Sequence, residues 1–177
     1  LTAGKPLREQ IQQLKQLAQS AGVPLKTVLL AAHLRVMAVL YGQDDVTSGL
    51  ICNGRPEALD GERLVGLFLN ALPVRLRLEG GTWLDLVQRT FAAERVLLAH
   101  RRFPLAEIQK LNGGQPLFET AFDFVHFHVY QNLAGCPDLD FEEGHYFEAN
   151  ALPTYTTFML DATSPQLQLH LDYAPAA

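Results

Sequence analysis

Apolar residues Leu7, Ile11, Leu14 and Ala18 recur at helical spacing behind Pro6, and Gly22 follows them. This pattern predicts an amphipathic first helix with proline at its start and glycine past its end. The next run, residues 24–41, is apolar nearly all round, which predicts the most buried helix, with Gly42 as its C-cap. The stretch "DDVTSGLIC" has strand character, and "NGRPEALDGER" is a loop of turn formers and charges. Residues 65–78, "VGLFLNALPVRLRL", form a second apolar strand. Thr82 and Asp85 stand in capping-box spacing ahead of a third helix, with Trp83, Leu86, Val87 and Thr90 along one side. "PLAEIQKLNGG" predicts a shorter fourth helix.

The remainder alternates like β-structure. Residues 117–130 are largely aromatic or β-branched, and Phe118, Phe122 and Phe124 would share a face. "YTTFMLDA" and "QLQLHLDY" come next, the second with Leu167, Leu169, Leu171 and Tyr173 inward and Gln166, Gln168, His170 and Asp172 outward. Residues 144–150 offer one more short strand. The order ααββααβββ predicts a two-layer α/β sandwich, a mixed β-sheet covered by helices.

Within the apolar run 65–78, Asn70 and Pro73 stand out. A buried amide must be satisfied, and a proline removes a ladder donor, so Pro73 belongs at a bulge or a sheet edge. Gly66 would permit close backbone approach, and Asn70 would tie its strand to a neighbouring loop. Arg75 is a strand-face residue facing solvent or an acid.

A length of 177 residues, 48% of them hydrophobic, suits one domain with its own core. A net charge of -5 with scattered Lys and Arg argues against nucleic acid as a partner. The apolar run 28–41 is interrupted by His33 and Arg35 and is too short to span a membrane. Cys52 and Cys136 stand in no metal-ligand spacing, consistent with reduced thiols and a cytoplasmic location. The start at Leu1 rather than Met, and an end just after a strand-like alternation, point to a piece of a longer polypeptide.

No catalytic machinery is complete on these residues alone. His126 and His128 stand two apart on a predicted strand and, with a third ligand such as His145, could hold zinc; nothing fixes that third ligand, and the plainer reading is that they line a polar pocket or hydrogen-bond locally. Ser20, Ser48 and Ser164 lack a hydrolase context, and Cys52 is as readily a small strand hydrophobe as a nucleophile. Asp44–Asp45 and Glu142–Glu143 fit solvated turns better than an acid/base pair, because adjacent side chains diverge.

Taken together, "YGQDDVTSGLICNGRP", "VGLFLNALPVRLRL", "HRRFPLAEIQKLNGGQPLF" and "LQLHLDYA" resemble, in order and spacing, the condensation domains of nonribosomal peptide synthetases. Residues 65–71 and Arg75 match that family's asparagine-containing segment, with Ala71 where threonine is common and Leu105 where phenylalanine is frequent. The resemblance implies a chloramphenicol acetyltransferase-like architecture of two lobes around a tunnel. In it, an amine attacks a thioester, both substrates being tethered to the phosphopantetheine arms of carrier proteins.

The whole chain, 1–177, resembles the C-terminal lobe only. The family's HHxxxDG motif, which carries the catalytic histidine, has no counterpart, since no two histidines are adjacent here. The resemblance therefore implies an acyltransferase lobe, inactive alone, that supplies tunnel wall and carrier-protein contacts. It would hold no cofactor of its own. Its partners would be the N-terminal lobe, peptidyl and aminoacyl carrier proteins and adjacent synthetase domains, and the excised lobe would self-associate weakly. The tunnel and its floor loop would draw on Asn53, Arg55, Gly66, Asn70, His126 and His128, with Arg55 contributing its backbone to the floor and its side chain to the turn. A non-catalytic docking module is the alternative from a different class, and a small zinc enzyme built on His126 and His128 is another.

Overall fold

The computed structural model describes residues 8–126, 152–160 and 167–174. Among them, α1 (Arg8–Ala21) and α2 (Leu25–Tyr41) precede β1 (Asp45–Asn53), a 3-10 turn (Gly61–Arg63) and β2 (Leu69–Arg77). Then come α3 (Trp83–Leu98), α4 (Leu105–Leu111), β3 (Thr120–His126), β4 (Thr154–Leu160) and β5 (Leu167–Tyr173). The strands form one mixed sheet in the order β2-β1-β3-β4-β5, antiparallel at both ends and parallel between β1, β3 and β4. The α/β sandwich expected from the sequence is the fold observed.

The helices cover one face. Leu50 of β1, Leu72 and Val74 of β2 and Phe122 of β3 are buried with Ile11 of α1, Leu30 and Leu34 of α2 and Val87 of α3 in one core. Alternate strand residues, from Asp45 and Thr47 to Asn53 on β1, point to the opposite face, which no described helix covers. Helix α2 ends at Gly42, whose φ of 62° places it in the left-handed region that glycine enters without a Cβ penalty. The capping box of α3 is complete: Asp85 N–H donates to Thr82 Oγ1 (3.2 Å), and Thr82 N–H donates to Asp85 Oδ2 (2.8 Å). That bonding holds the Asp85 carboxyl below its ordinary pKa.

The structure corrects several expectations. The second strand begins at Leu69, and residues 65–68 run outside it. Pro73 meets its expectation through the edge rather than a bulge: it stands in an unbroken antiparallel register opposite Gly49 on edge strand β2. Trp83 is exposed, and the buried stripe of α3 is Leu86, Val87, Thr90 and Glu94. Helix α2 is buried only through Ala38, after which Val39, Leu40 and Tyr41 reach the surface. Phe118 departs from the face of Phe122: a Cβ on Gly49 would lie 2.5 Å from the Phe118 ring, which therefore sits on the side opposite the described helices. On β5 only Leu167 is buried; Leu169, Leu171 and Tyr173 are exposed. The stretch 127–130, the segment 144–150 and Cys136 lie outside the described residues.

Candidate functional site

Three segments meet where β1 ends and β2 begins. Leaving β1, Asn53 Oδ1 accepts the Arg55 N–H at 2.9 Å, an Asx turn that reverses the chain. The Arg55 guanidinium then donates to the carbonyls of Gly61 (3.2 Å) and Leu64, and its Cζ lies 4.4 Å from the centroid of the Phe68 ring. A Cβ on Gly61 would come 2.2 Å from the Pro56 carbonyl oxygen, so the tight return of this loop admits only glycine. The loop is also joined to its surroundings. Gly54 N–H donates to Phe68 O (2.7 Å), Arg102 Nε donates to Gly54 O (3.1 Å), and Arg101 pairs with Glu57 at 2.8 Å.

Asn70 fastens the turn between α3 and α4 to the sheet. Its Nδ2 donates to the carbonyls of Arg101 (3.1 Å) and Phe103 (2.7 Å), and its Oδ1 accepts the Leu105 N–H (3.3 Å). Two carbonyls and one N–H around a single amide fix which atom is nitrogen and which oxygen. Pro104, at the N-cap of α4, offers no side-chain cap, so Asn70 supplies from β2 the acceptor that a helix start requires.

Of the residues singled out from the sequence, Asn53, Arg55 and Asn70 converge here. Gly66 lies beside them, but a Cβ there would meet the Phe68 ring at 3.4 Å, an ordinary contact; the close approach expected of Gly66 occurs at Gly61. His126 ends β3, exposed and at the sheet end where the parallel strand β1 also ends, while His128 and His145 lie outside the described residues. Among the described residues, no three His, Cys, Asp or Glu side chains are grouped to hold a metal. Sequence reasoning passed over Gly61, Phe68 and Arg101. The Asp-Gly step at 60–61 was the available signal for the first.

Other reactive groups are committed to the core. His33 Nε2 lies 2.9 Å from Ser48 Oγ; Ser48 donates to Thr120 O (3.1 Å) and accepts from Thr120 Oγ1 (2.9 Å). Since the one Ser48 proton goes to Thr120 O, His33 Nε2 must be the donor. This Ser–His pair has the reach of a nucleophile and base, but Ser48 is fully buried and no substrate can approach it. Burial lowers the His33 pKa to about 4 and, as the largest cause, raises that of Cys52 to about 11, leaving an inert thiol. Glu94, buried on α3, accepts from Thr27 Oγ1 at 2.7 Å and pairs with Lys26, joining α3 to α2.

Residues 7–174 match the family model described as "Condensation domain", and the chain belongs to the condensation-domain family. It is 42% identical over 120 residues to AMB antimetabolite synthetase AmbE of Pseudomonas aeruginosa, an alignment covering 68% of this chain and 6% of that protein. Tyrocidine synthase 3 of Brevibacillus parabrevis is 36% identical over 129 residues (69% and 2%). Chondramide synthase cmdD of Chondromyces crocatus is 35% identical over 127 residues (67% and 3%). The chain thus spans only a few per cent of the length of these relatives. The fold matches the condensation domain from the Monacolin K polyketide synthase MokA with a TM-score of 0.78 at 20% identity, over 91% of this chain and 38% of that one. It also matches the first condensation domain of the calcium-dependent antibiotic synthetase, with a TM-score of 0.73 at 17% identity (95% and 38%). No single described helix is long and apolar enough to cross a membrane.

Proposed function

We propose that the chain is the C-terminal lobe of a nonribosomal peptide synthetase condensation domain, working in the cytoplasm. In that setting an amine tethered to one carrier protein attacks the thioester carbonyl of another: a C–N bond forms, the C–S bond breaks, and the thiol of the phosphopantetheine arm leaves. This lobe supplies tunnel wall and carrier-protein contacts. The general base comes from the N-terminal lobe, since no adjacent histidine pair exists in these 177 residues.

The observation that carries this reading is the clasp. Asn70 and Arg55 spend their side-chain hydrogen bonds on backbone groups of two loops and a helix start, so that segments 53–64, 65–70 and 100–105 form one preorganised rim. A rigid rim of this kind positions tethered substrates without itself reacting. The match of nearly the whole chain to 38% of a condensation-domain chain also fits a lobe rather than a complete domain.

The test mixes the chain with two loaded carrier proteins and tracks products by mass spectrometry, beside the full polypeptide that contains it. Amide should form only with the full polypeptide. Amide formation by the chain alone at the full rate would overturn the division of labour. No amide from either, with carriers still bound, would favour the non-catalytic docking module.

A further inference from the structure

The two edges of the sheet differ in what their outward backbone offers. Ala174 N–H donates to Pro153 O (2.9 Å), continuing the antiparallel register in which Tyr173 stands opposite Thr154. In such a ladder the N–H and C=O of one residue point to the same side, and the side alternates along the strand. Gln168, His170 and Asp172 therefore bond to β4, while Leu167, Leu169, Leu171 and Tyr173 aim both groups at the free edge. At the opposite edge Leu78 N–H donates to Asp44 O (2.6 Å), which leaves Leu69, Ala71, Pro73, Arg75 and Arg77 of β2 facing outward. β2 is closed to a further strand. Pro73 has no N–H to give at the middle of its outward row, and the charged Arg75 and Arg77 follow it, both exposed. β5 has neither device: its outward row holds no proline and no charge, and Leu169, Leu171 and Tyr173 are exposed. Among the described residues no strand pairs with its outer side. A regular apolar edge of this kind is a template for another strand.

We infer that β5 pairs antiparallel with β5 of a second copy of this chain, about a two-fold axis at His170. Register argues for that occupant. An antiparallel partner must set outward residues opposite outward residues, and centring on His170 uses the whole row: Leu167 meets the partner's Tyr173, and Leu169 meets the partner's Leu171. Each such pair exchanges two N–H···O bonds. The side chains match in the same register. Apolar residues stand opposite apolar ones on one face; on the other, Gln168 brings an amide donor to the partner's Asp172, and the two His170 rings meet at the axis. A slip of the partner by two residues either way leaves Leu167 or Tyr173 without an opposite residue in the strand. An interface formed by one strand edge is small and belongs to the weak class, so the copies part on dilution.

The experiment follows the chain by light scattering and by residue-resolved hydrogen exchange, at about 1 μM and at several hundred micromolar, a span that brackets weak association. At the higher concentration the mass should move toward that of a dimer. The amides of Leu169 and Leu171 should then slow at least about fivefold, while those of Gln168 and His170, already bonded to β4, stay as they were. Leu169→Pro removes an N–H that β4 does not use and should abolish association. Leu169→Lys keeps that N–H, sets a charge in the apolar row and should weaken association at least about tenfold. On oxidation His170→Cys should cross-link to its own copy above the level of the unmodified chain, because residues opposed at such an axis lie within disulfide reach; Gln168→Cys, which faces Asp172, should not. The His170→Cys cross-link should also form in the full polypeptide. A chain that stays monomeric at every concentration overturns the inference, and so does a dimer indifferent to both Leu169 variants, since it associates through another surface. Leu169 and Leu171 amides equally protected at the lower concentration, or a cross-link lost in the full polypeptide, would place another segment on this edge and overturn the second copy as its occupant.

Discussion

β2 and β5 lie at opposite edges of one sheet and carry the same alternation of apolar and polar residues, yet they end in different environments. On β2, Leu72 and Val74 are 1% and 0% exposed; on β5, Leu169 and Leu171 are 54% and 42% exposed. The strands do not differ in pattern. They differ in cover, because α2 and α3 lie over β2, β1 and β3 and the described helices stop short of β5. Alternation determines which residues share a face, while burial depends on an element elsewhere in the chain reaching that face.

The largest effect that sharpens this contrast is a truncation at the covered edge. Leu72→Ala should cost about 2–5 kcal/mol, the range for emptying a packed leucine site whose surroundings relax only in part. A denaturant titration of the chain would show the midpoint fall with an unchanged slope. A cost under ~1 kcal/mol would mean that the helix layer is looser than it looks.

Next in size is the buried polar bridge beneath that cover. His33 has a folded pKa of about 4 against an ordinary value of 6.5, so the unfolded chain binds the proton more readily. Its contribution to stability is therefore complete above pH 6.5 and is lost as pH falls toward 4, amounting to ~3 kcal/mol over that window. Unfolding curves between pH 7 and pH 4.5 should show this slope, and His33→Gln, which keeps a donor for Ser48 but cannot titrate, should flatten it. Identical slopes in both proteins would assign the acid sensitivity to other groups.

These residues also indicate which features were legible in advance. The Thr82–Asp85 box, the Gly42 cap and the edge position of Pro73 follow from local chemistry, and local chemistry is written in adjacent residues. Asn70 was recognisable as an amide needing partners, and it finds them in the predicted kind of place, a neighbouring loop. Its partners could not be named, because Arg101, Phe103 and Leu105 come to it only through the α3–α4 turn. Glu94 continues the stripe of Leu86, Val87 and Thr90, but a carboxylate there is intelligible only once Lys26 and Thr27 of α2 are seen beside it. Trp83 was misplaced because it occupies the first turn of α3, outside the stripe that the sheet covers. The exposure of β5 was hidden for the reason already given: a strand's own residues do not record the reach of a helix layer.

A smaller effect belongs to the clasp itself. Asn70→Ala removes three hydrogen bonds to half-buried or exposed backbone, where water can replace part of what is lost, and should cost about 1–3 kcal/mol. The loss should be local. Hydrogen exchange at the Leu105 amide should rise well before the amides of β1 do, since Asn70 Oδ1 is its acceptor. Uniform acceleration across the sheet would mean that Asn70 supports the whole core rather than one rim.

The smallest expected effect is at the uncovered edge. Leu171 pairs with Thr156 on the face that the helices would cover if they extended farther, but a side chain already 42% exposed loses little more on truncation. In the chain alone, Leu171→Ala should cost less than ~1 kcal/mol, several times less than Leu72→Ala. The same substitution in the full polypeptide decides whether β5 is uncovered in the working protein. If a second lobe or neighbouring domain packs on this edge, truncation there should become as costly as it is at β2, because the leucine would then be emptied from a filled site. An unchanged small cost in the full polypeptide would show that the edge faces solvent throughout. A cost already equal to that of Leu72 in the chain alone would break the comparison, since it would require β5 to be covered by residues of this chain.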